Sequence, residues 1–545
     1  MSRSATELLG VPREIFYWIP GEMVAVVQLP RRPTNGELDV LVEQVRAQLN
    51  DVLAPYQLHL EPYGTSGRWR DSTLPPVRRR AFLFGLRRRN PFAALFFHVR
   101  HADPAIQDSA PMALSYLQEH LEELAQSGLS LVSAMPNWLV IATPSLYTPG
   151  GPALPPKPAP PIELAGIANT MPLGWHLSFV DPGIALASPN PAPVTVAILD
   201  TALHPDRVRS AALRPELRRN WLLQRFAASL RTNDGSFEID YSRRYYVTDD
   251  VATGRDASNH ARYFFMPDHG LFVAGIVRDL APHASIRLLR VLNDYGGGDL
   301  YNLFAALTDL EAELVAGTIE RLVINLSATI MPPQRRLPYL WFDDYSWPSR
   351  QLSEPIRALQ HIEEGLRLLF ECLHEQGALV VAAAGNDSLY ANQRKEPPGP
   401  PRAPARYASV LGVTSVNSRF APSLFANAAN MPPFQTGIAA FGGDHAGALD
   451  ESGLPDAVRG LYISPTFPEG EQNASGWADW CGSSFSTAMI GALGAHLMAQ
   501  GRSASDALLD IAAGQQRRER IFGGQPDAPS LLANVVQVRQ KFGVG

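Results

Sequence analysis

Apolar residues fall into short runs separated by polar turns, and the character of those runs changes along the chain. Beyond residue 190 they are continuous and β-branched, of the length expected for strands buried on both faces: Val194 to Asp200, Ile286 to Leu292, Leu322 to Ser327 and Ala378 to Ala384. Helical patterns lie between them, at His269 to Val277, Leu300 to Val315 and Ile356 to Glu375. Such alternation predicts an α/β domain whose parallel sheet is covered by helices on both faces.

Before residue 145 the pattern is different. Met23 to Leu29 reads as a strand, and Thr34-Asn35-Gly36-Glu37 as a capping box that opens a helix. The stripe of that helix is Leu38, Leu41, Val42, Val45, Leu49, Val52 and Leu53. Ala81 to Leu86 and Phe92 to Val99 are further strands, Leu114, Leu117, Leu121 and Leu124 mark a second helix, and Leu129 to Thr143 supplies a last strand. Strand, helix, two strands, helix, strand is a ferredoxin-like α+β order. A Pro/Gly-rich stretch from Pro144 to Pro161 follows and reads as an extended, semi-rigid linker. The expected organisation is therefore an N-terminal domain at 1–145, a linker at 146–168 and a main domain at 169–545.

Candidate chemistry stands at the ends of the buried runs. Asp200 closes the strand that begins at Val194, at the rim where α/β sheets place their sites. His269 opens a small-residue helix in Asp268-His269-Gly270. Asn386 follows the buried strand in Ala384-Gly385-Asn386-Asp387. Ser484, in Gly482-Ser483-Ser484-Phe485-Ser486, stands where a tight turn enters an apolar helix, and the backbone N–H groups of a helix start favour developing negative charge. Alone, that serine string also reads as a polar helix cap.

Asp, His, Asn and Ser in this order, each at the end of a buried element, resembles the subtilisin-like serine proteases, or subtilases, over residues 170 to 500. The resemblance implies a serine endopeptidase in which Asp200 orients His269, His269 acts as general base on Ser484, and Asn386 supplies an oxyanion-hole amide. It also matches Gly296, Gly297 and Gly298, and Ser327 with Ala328, to the segments that pair with extended substrate, and it places Gly385 beside the substrate. Arg402, in Pro401-Arg402-Ala403-Pro404, aligns with the floor of the specificity pocket, and Pro404 with a proline that can be cis. There a guanidinium favours an acidic side chain before the cut; the other reading puts Arg402 on an exposed loop and leaves the pocket apolar. The ferredoxin-like unit looks like the inhibitory propeptide of the family, with a ligand-binding sensor as the alternative, and in the propeptide reading Leu139 to Tyr147 crosses the cleft as a strand.

Departures from the family pattern bear on substrate geometry. Leu271-Phe272 replaces the usual Thr-His, Thr329 stands where a glycine usually follows the substrate strand, and Ala488 replaces a proline. Long stretches separate Asp200 from His269 and Asn386 from Ser484, and 335–350 is an aromatic- and proline-rich insertion. These imply restricted access and a dedicated protein substrate. A catalytically idle subtilase-fold scaffold that binds a partner through its insertions is the competing class.

Composition narrows the partners. Hydrophobic residues make up 46% and charged residues 18%, and a net charge of -6 gives no reason to expect polyanion binding. Arg78-Arg79-Arg80 and Arg87-Arg88-Arg89 flank an aromatic run and read as solvated gatekeepers of a hydrophobic strand, with nucleic acid the lesser alternative. With 2 cysteines, neither a disulfide framework nor a zinc site is expected; Cys372 reads as helix core and Cys481 as loop packing beside the nucleophile. No cofactor is expected, and calcium, common in the family, has no loop with convincing ligand spacing. No apolar run approaches the roughly 20 residues that span a bilayer, and with no secretory pattern at the start the expected setting is cytoplasmic.

Overall fold

Two sheets organise the chain, and the sequence places most of their strands. The structure, a computed structural model, describes residues 17–63, 79–106, 108–142, 155–160, 176–179, 192–242, 265–330, 332, 337–342, 353–388, 398–419, 421–429, 437–444, 456–513, 518–520, 532–535 and 538–541. The N-terminal unit runs β1 (Trp18–Gln28), α1 (Asn35–Leu53), β2 (Leu58–Pro62), β3 (Ala81–Phe84), β4 (Phe92–His101), α2 (Ala110–Glu119), α3 (Leu121–Gln126) and β5 (Leu131–Ile141). Its antiparallel sheet has the order β5-β1-β4-β2, with β3 also paired to β4. This is the ferredoxin-like arrangement with one strand position shared between β2 and β3. The capping box forms, Thr34 N–H donating to Glu37 Oε2 at 2.6 Å. β2 is absent from the sequence reading because His59 and Glu61 leave too short an apolar run for a strand signal.

The main unit contains β6 (Lys157–Pro158), β7 (His176–Phe179), β8 (Thr195–Asp200), α4 (Pro205–Ala211), α5 (Trp221–Thr232), β9 (Phe237–Asp240), α6 (His269–Leu280), β10 (Ser285–Arg290), β11 (Gly297–Asp299), α7 (Leu300–Ala316), β12 (Leu322–Leu326) and β13 (Thr329–Ile330). It continues with α8 (Leu337–Phe342), α9 (Ser353–Ala358), α10 (His361–Glu375), β14 (Ala378–Ala383), β15 (Val410–Val416), β16 (Ile438–Phe441), β17 (Val458–Leu461), β18 (Trp477–Trp480), α11 (Ser483–Ala499), α12 (Ala504–Ala513), β19 (Arg518–Arg520), β20 (Leu532–Val535) and β21 (Val538–Lys541). The large sheet has the order β19-β20-β16-β15-β14-β12-β8-β10-β9 and is parallel except at β19. The fold is thus α/β with flanking helices, preceded by a smaller α+β unit. The one helix expected over Ile356 to Glu375 is two, α9 and α10.

The units share one apolar core, which runs from Val26 and Met135 through Ile362 and Leu366 to Val380. Helix α10 lies between the sheets, touching β5 and β14. A Cβ on Gly365 would fall 2.6 Å from Val26 Cγ2, so the helix backbone rides directly on the N-terminal sheet. Trp138 Nε1–H donates to Ile362 O at 3.3 Å, and Ser133 Oγ–H to His361 O at 2.9 Å. The described part of the 335–350 insertion belongs to the same junction, where Trp341 packs 5.8 Å from Trp18 between ring centroids. Two of the six clustered arginines are interface ion pairs: Arg79 with Asp309 at 2.6 Å and Arg88 with Glu375. Those two side chains therefore face acids of α7 and α10.

No helix among the described residues is long and apolar enough to cross a membrane. Both cysteines are buried and unbridged, and burial pushes the Cys372 thiol up to about 12.

Because Gly365 has no room for a side chain, Gly365→Leu should pry the N-terminal sheet off α10. We expect a loss of about 1–3 kcal/mol in denaturant unfolding, with 17–142 becoming the first protease-sensitive region. An unchanged digestion pattern would show that the contact does not hold the units together.

Candidate active site

Two parallel strands and two helix starts deliver the candidate groups to one rim. β8 ends on Asp200, which is fully buried, and α6 begins on His269, also fully buried. His269 Nδ1 lies 2.7 Å from Asp200 Oδ1, and Thr201 N–H donates to the same oxygen at 2.6 Å. An anion held this way fixes both the ring orientation and the tautomer that carries its proton on Nδ1. Nothing but glycine fits after the histidine, since a Cβ on Gly270 would fall 2.0 Å from Thr201 O. Gly270 N–H donates to Thr201 Oγ1 at 3.0 Å, which ties the start of α6 to the end of β8.

Aromatic rings flank the imidazole. Trp480 meets it edge-on at 5.2 Å and Phe485 lies at 5.6 Å. Phe272, one of the departures from the family pattern, stacks into the same cluster at 4.6 Å from Phe485 and lies against Gly460. Asp268, just before the histidine, is buried and receives Ile463 N–H and the Ser464 hydroxyl, so the β17–β18 hairpin is fastened beside the catalytic helix. Burial raises its pKa above the usual carboxylate range.

Helix α11 has Gly482 as its N-cap, so Ser483 and Ser484 are first-turn residues and the polar-cap reading does not describe them. Ser484 Oγ lies 3.5 Å from Ser327 O, and Ser327 Oγ–H in turn donates to Ser484 O at 3.1 Å. His269 Nε2 is buried without a hydrogen-bond partner. Serine and imidazole are thus brought to one site, with the hydroxyl turned to the β12 end. Asn386 follows β14, and its Oδ1 accepts Ser483 N–H at 3.1 Å, which turns the amide NH2 group the other way.

The matched substrate segments also converge. β11 and β13 face each other across a gap, and β5 of the N-terminal unit lies in it. Gly297, Gly298 and Asp299 pair antiparallel with Ile141, Val140 and Leu139, and Thr329 and Ile330 pair with Ile141 and Val140. Ala142 N–H donates to Gly296 O at 2.8 Å. Thr329 adds a side-chain contact, Oγ1 lying 3.4 Å from Ile141 O. Residues 143–147, expected in the same strand, lie outside the described residues. Ala328 lies buried between Ser327 and β13.

Arg402 is buried rather than on an exposed loop. Its Nη1–H donates to Asp387 Oδ2 at 2.9 Å, and its backbone N–H to Ala384 O at 2.9 Å. The Ala403–Pro404 peptide bond is cis, as the family alignment allows. Gly385 has φ +112, and a Cβ there would meet Asn427, Arg402 and Asp387 within 3.3 Å.

The sequence reading missed several groups at the junction. Asn137 Oδ1 accepts Leu300 N–H at 3.0 Å, at the start of α7, while its Nδ2–H donates to buried Glu22 at 2.8 Å. Glu311 of α7 accepts Gly85 and Leu86 N–H at 3.2 and 2.9 Å. Burial raises Asp299 to about 6 and Glu311 to about 7. Glu311 stands one residue after Leu310 on a helix that also carries Asp309 and Glu313, and no local signal separates it from those two acids. Among the described residues, no group of His, Cys, Asp or Glu is arranged to hold a metal ion.

Gly270→Ala should push His269 off Asp200. The downfield proton resonance expected for the Nδ1–H bond in the parent protein should disappear, and its persistence would mean that the Thr201 turn adapts.

Residues 192–523, more than half of the chain, match the model of the Subtilase family, and no curated protein matches the chain. The Asp–His pair at the rim and a serine opening a buried helix lie inside that span, and the chain belongs to the subtilase family of serine peptidases.

Proposed function

We propose that the chain is a serine endopeptidase that hydrolyses peptide bonds through Asp200, His269 and Ser484, and that its N-terminal unit occupies the cleft as a resident inhibitor. The observation that carries the chemistry is the 2.7 Å contact between His269 Nδ1 and Asp200 Oδ1, directed so that Nε2 faces away from the acid. Ser484 Oγ rotates from Ser327 O to His269 Nε2, gives up its proton there and attacks the substrate carbonyl carbon. The oxyanion that forms is met by the Asn386 NH2 group and the N–H groups at the start of α11. His269 then passes its proton to the leaving amine, and water repeats the sequence on the acyl-enzyme. Gly296 to Gly298 and Ser327 to Ile330 hold the peptide by main-chain hydrogen bonds, a mode that needs no particular side chains.

The strand pairing of β5 supports the inhibitory role. It uses the same main-chain groups that an extended substrate requires, and the tether gives it an effective concentration up to about millimolar. Release requires a cut in the linker or a partner that binds the undocked unit better than the docked one. An intracellular setting and a dedicated protein substrate belong to the same proposal; the unbridged cysteines support the first and the covered cleft the second.

A fluorophosphonate should label Ser484, and Ser484→Ala should abolish both label and proteolysis with the fold intact; a variant keeping a tenth of the activity removes the assignment. Asn386→Ala should lower kcat by about 100- to 1,000-fold with KM little changed. Absence of labelling in the parent chain with β5 displaced leaves the idle scaffold as the better reading.

Docking has a pH dependence of known sign. Burial raises Glu311 in the docked state to about 7, so docking takes up a proton and weakens as pH rises through that value. From pH 6 to 8 the labelling rate of the parent, divided by that of Glu311→Gln, should rise about tenfold. A flat ratio would show that Glu311 keeps its raised pKa when undocked.

A further inference from the structure

The ion pair between Arg402 and Asp387 lies between the end of β13 and the residue that follows Gly385. Ala403, which follows Arg402, accepts Ile330 N–H at 2.8 Å, so the segment is stitched to the substrate strand β13 on one side. On the other side Arg402 Cγ lies 3.1 Å from the position of a Cβ on Gly385, one residue before Asn386. Substrate strand, oxyanion amide and Arg402 therefore enclose the same ground.

Two features decide what can enter it. The first is volume: the arginine stem, 2% exposed, fills space that a smaller residue at this position would leave open to a long or aromatic side chain. The second is charge. Asp387 Oδ2 is engaged by Arg402 Nη1 and by Asn427 Nδ2, each at 2.9 Å, and Asn427 Oδ1 accepts Asp387 N–H at 3.0 Å. The guanidinium has a fixed counter-ion, so an entering carboxylate meets Asp387 and an entering ammonium meets Arg402. A buried pair held by further hydrogen bonds resists being pulled apart by either. Asp387 Oδ1, however, is buried with no hydrogen-bond partner, and a buried acceptor left unpaired favours any ligand that brings a donor.

We propose that Arg402 and Asp387 together determine specificity, and that the site selects a short, uncharged side chain with an O–H or N–H donor, such as Ser, Thr or Asn, before the cut. This replaces the acidic preference that an unpaired Arg402 implies, and it rests on the serine peptidase reading.

The test uses the full chain and peptidyl phosphonates that differ only in the side chain nearest phosphorus: Thr, Asn, Asp, Lys, Leu or Phe. Each rate of Ser484 modification, followed by intact mass, is divided by the rate with a small alkyl fluorophosphonate. Competition from β5 is common to all the peptides and cancels in their ratios. The expected ranking places Thr and Asn at least tenfold ahead of the others. Asp387→Asn, which removes the negative charge beside Arg402, should move the optimum toward Asp; Arg402→Gly, which frees the volume of the arginine stem, should move it to Leu or Phe. If one variant fails to fold, the other still decides. A parent that reacts fastest with Asp, Lys, Leu or Phe overturns the proposal, as does a ranking unchanged in a folded variant. If the small fluorophosphonate leaves Ser484 unmodified even with β5 displaced, the peptidase reading fails, and this one with it.

Discussion

A buried strand edge has to be paired. β11 and β13 present main-chain donors and acceptors to a gap between them, and in a covered site water cannot satisfy those groups. Only an extended chain can, so the cleft has one geometric requirement whoever its occupant is. The glycines of β11 allow it: a Cβ on Gly298 would fall 2.2 Å from Val291 O. β5 meets the requirement from within the chain, and the placement of the N-terminal sheet follows from it. Once β5 lies in the gap, the sheet it belongs to is carried onto α7 and α10, and the apolar faces of those helices become the middle of a shared core.

Polar groups then fix the register. Asn137 links Glu22 to the start of α7, and Glu311 reaches back to the turn after β3. These contacts are few beside the apolar ones, but each places a buried group that would be costly to leave unpaired, so a one-residue slip of β5 is opposed by electrostatics as well as by packing.

Much of this is legible in the sequence because the signals are local. The run ending at Asp200, the helix opened by His269 and the turn before Ser484 each carry their pattern within ten residues, and all are found where the pattern places them. The ferredoxin-like order is recovered too, although β2, with two charged or polar residues in five, is not. What the sequence hides is whatever depends on distant partners. Arg402 reads as either a bare cation or a surface residue until Asp387 is found beside it, and Arg79 and Arg88 read as a basic cluster until Asp309 and Glu375 are found opposite. The orientation of the Ser484 hydroxyl, decided by a carbonyl more than a hundred residues away, is of the same kind.

The linker strand β6 has a consequence of its own. Lys157 and Pro158 pair with Asp479 and Ala478 of β18, and the Lys157 ammonium sits between Glu469 and Glu471. The chain is therefore moored on both sides of the stretch 143–154, by β5 before it and by β6 after it. A nick within that stretch would remove the tether but leave the docked unit in place until it dissociates: two bands would appear on a denaturing gel, while gel filtration under native conditions, before dissociation, would return one particle of unchanged mass. Purity and mass by gel filtration alone would call such a preparation intact.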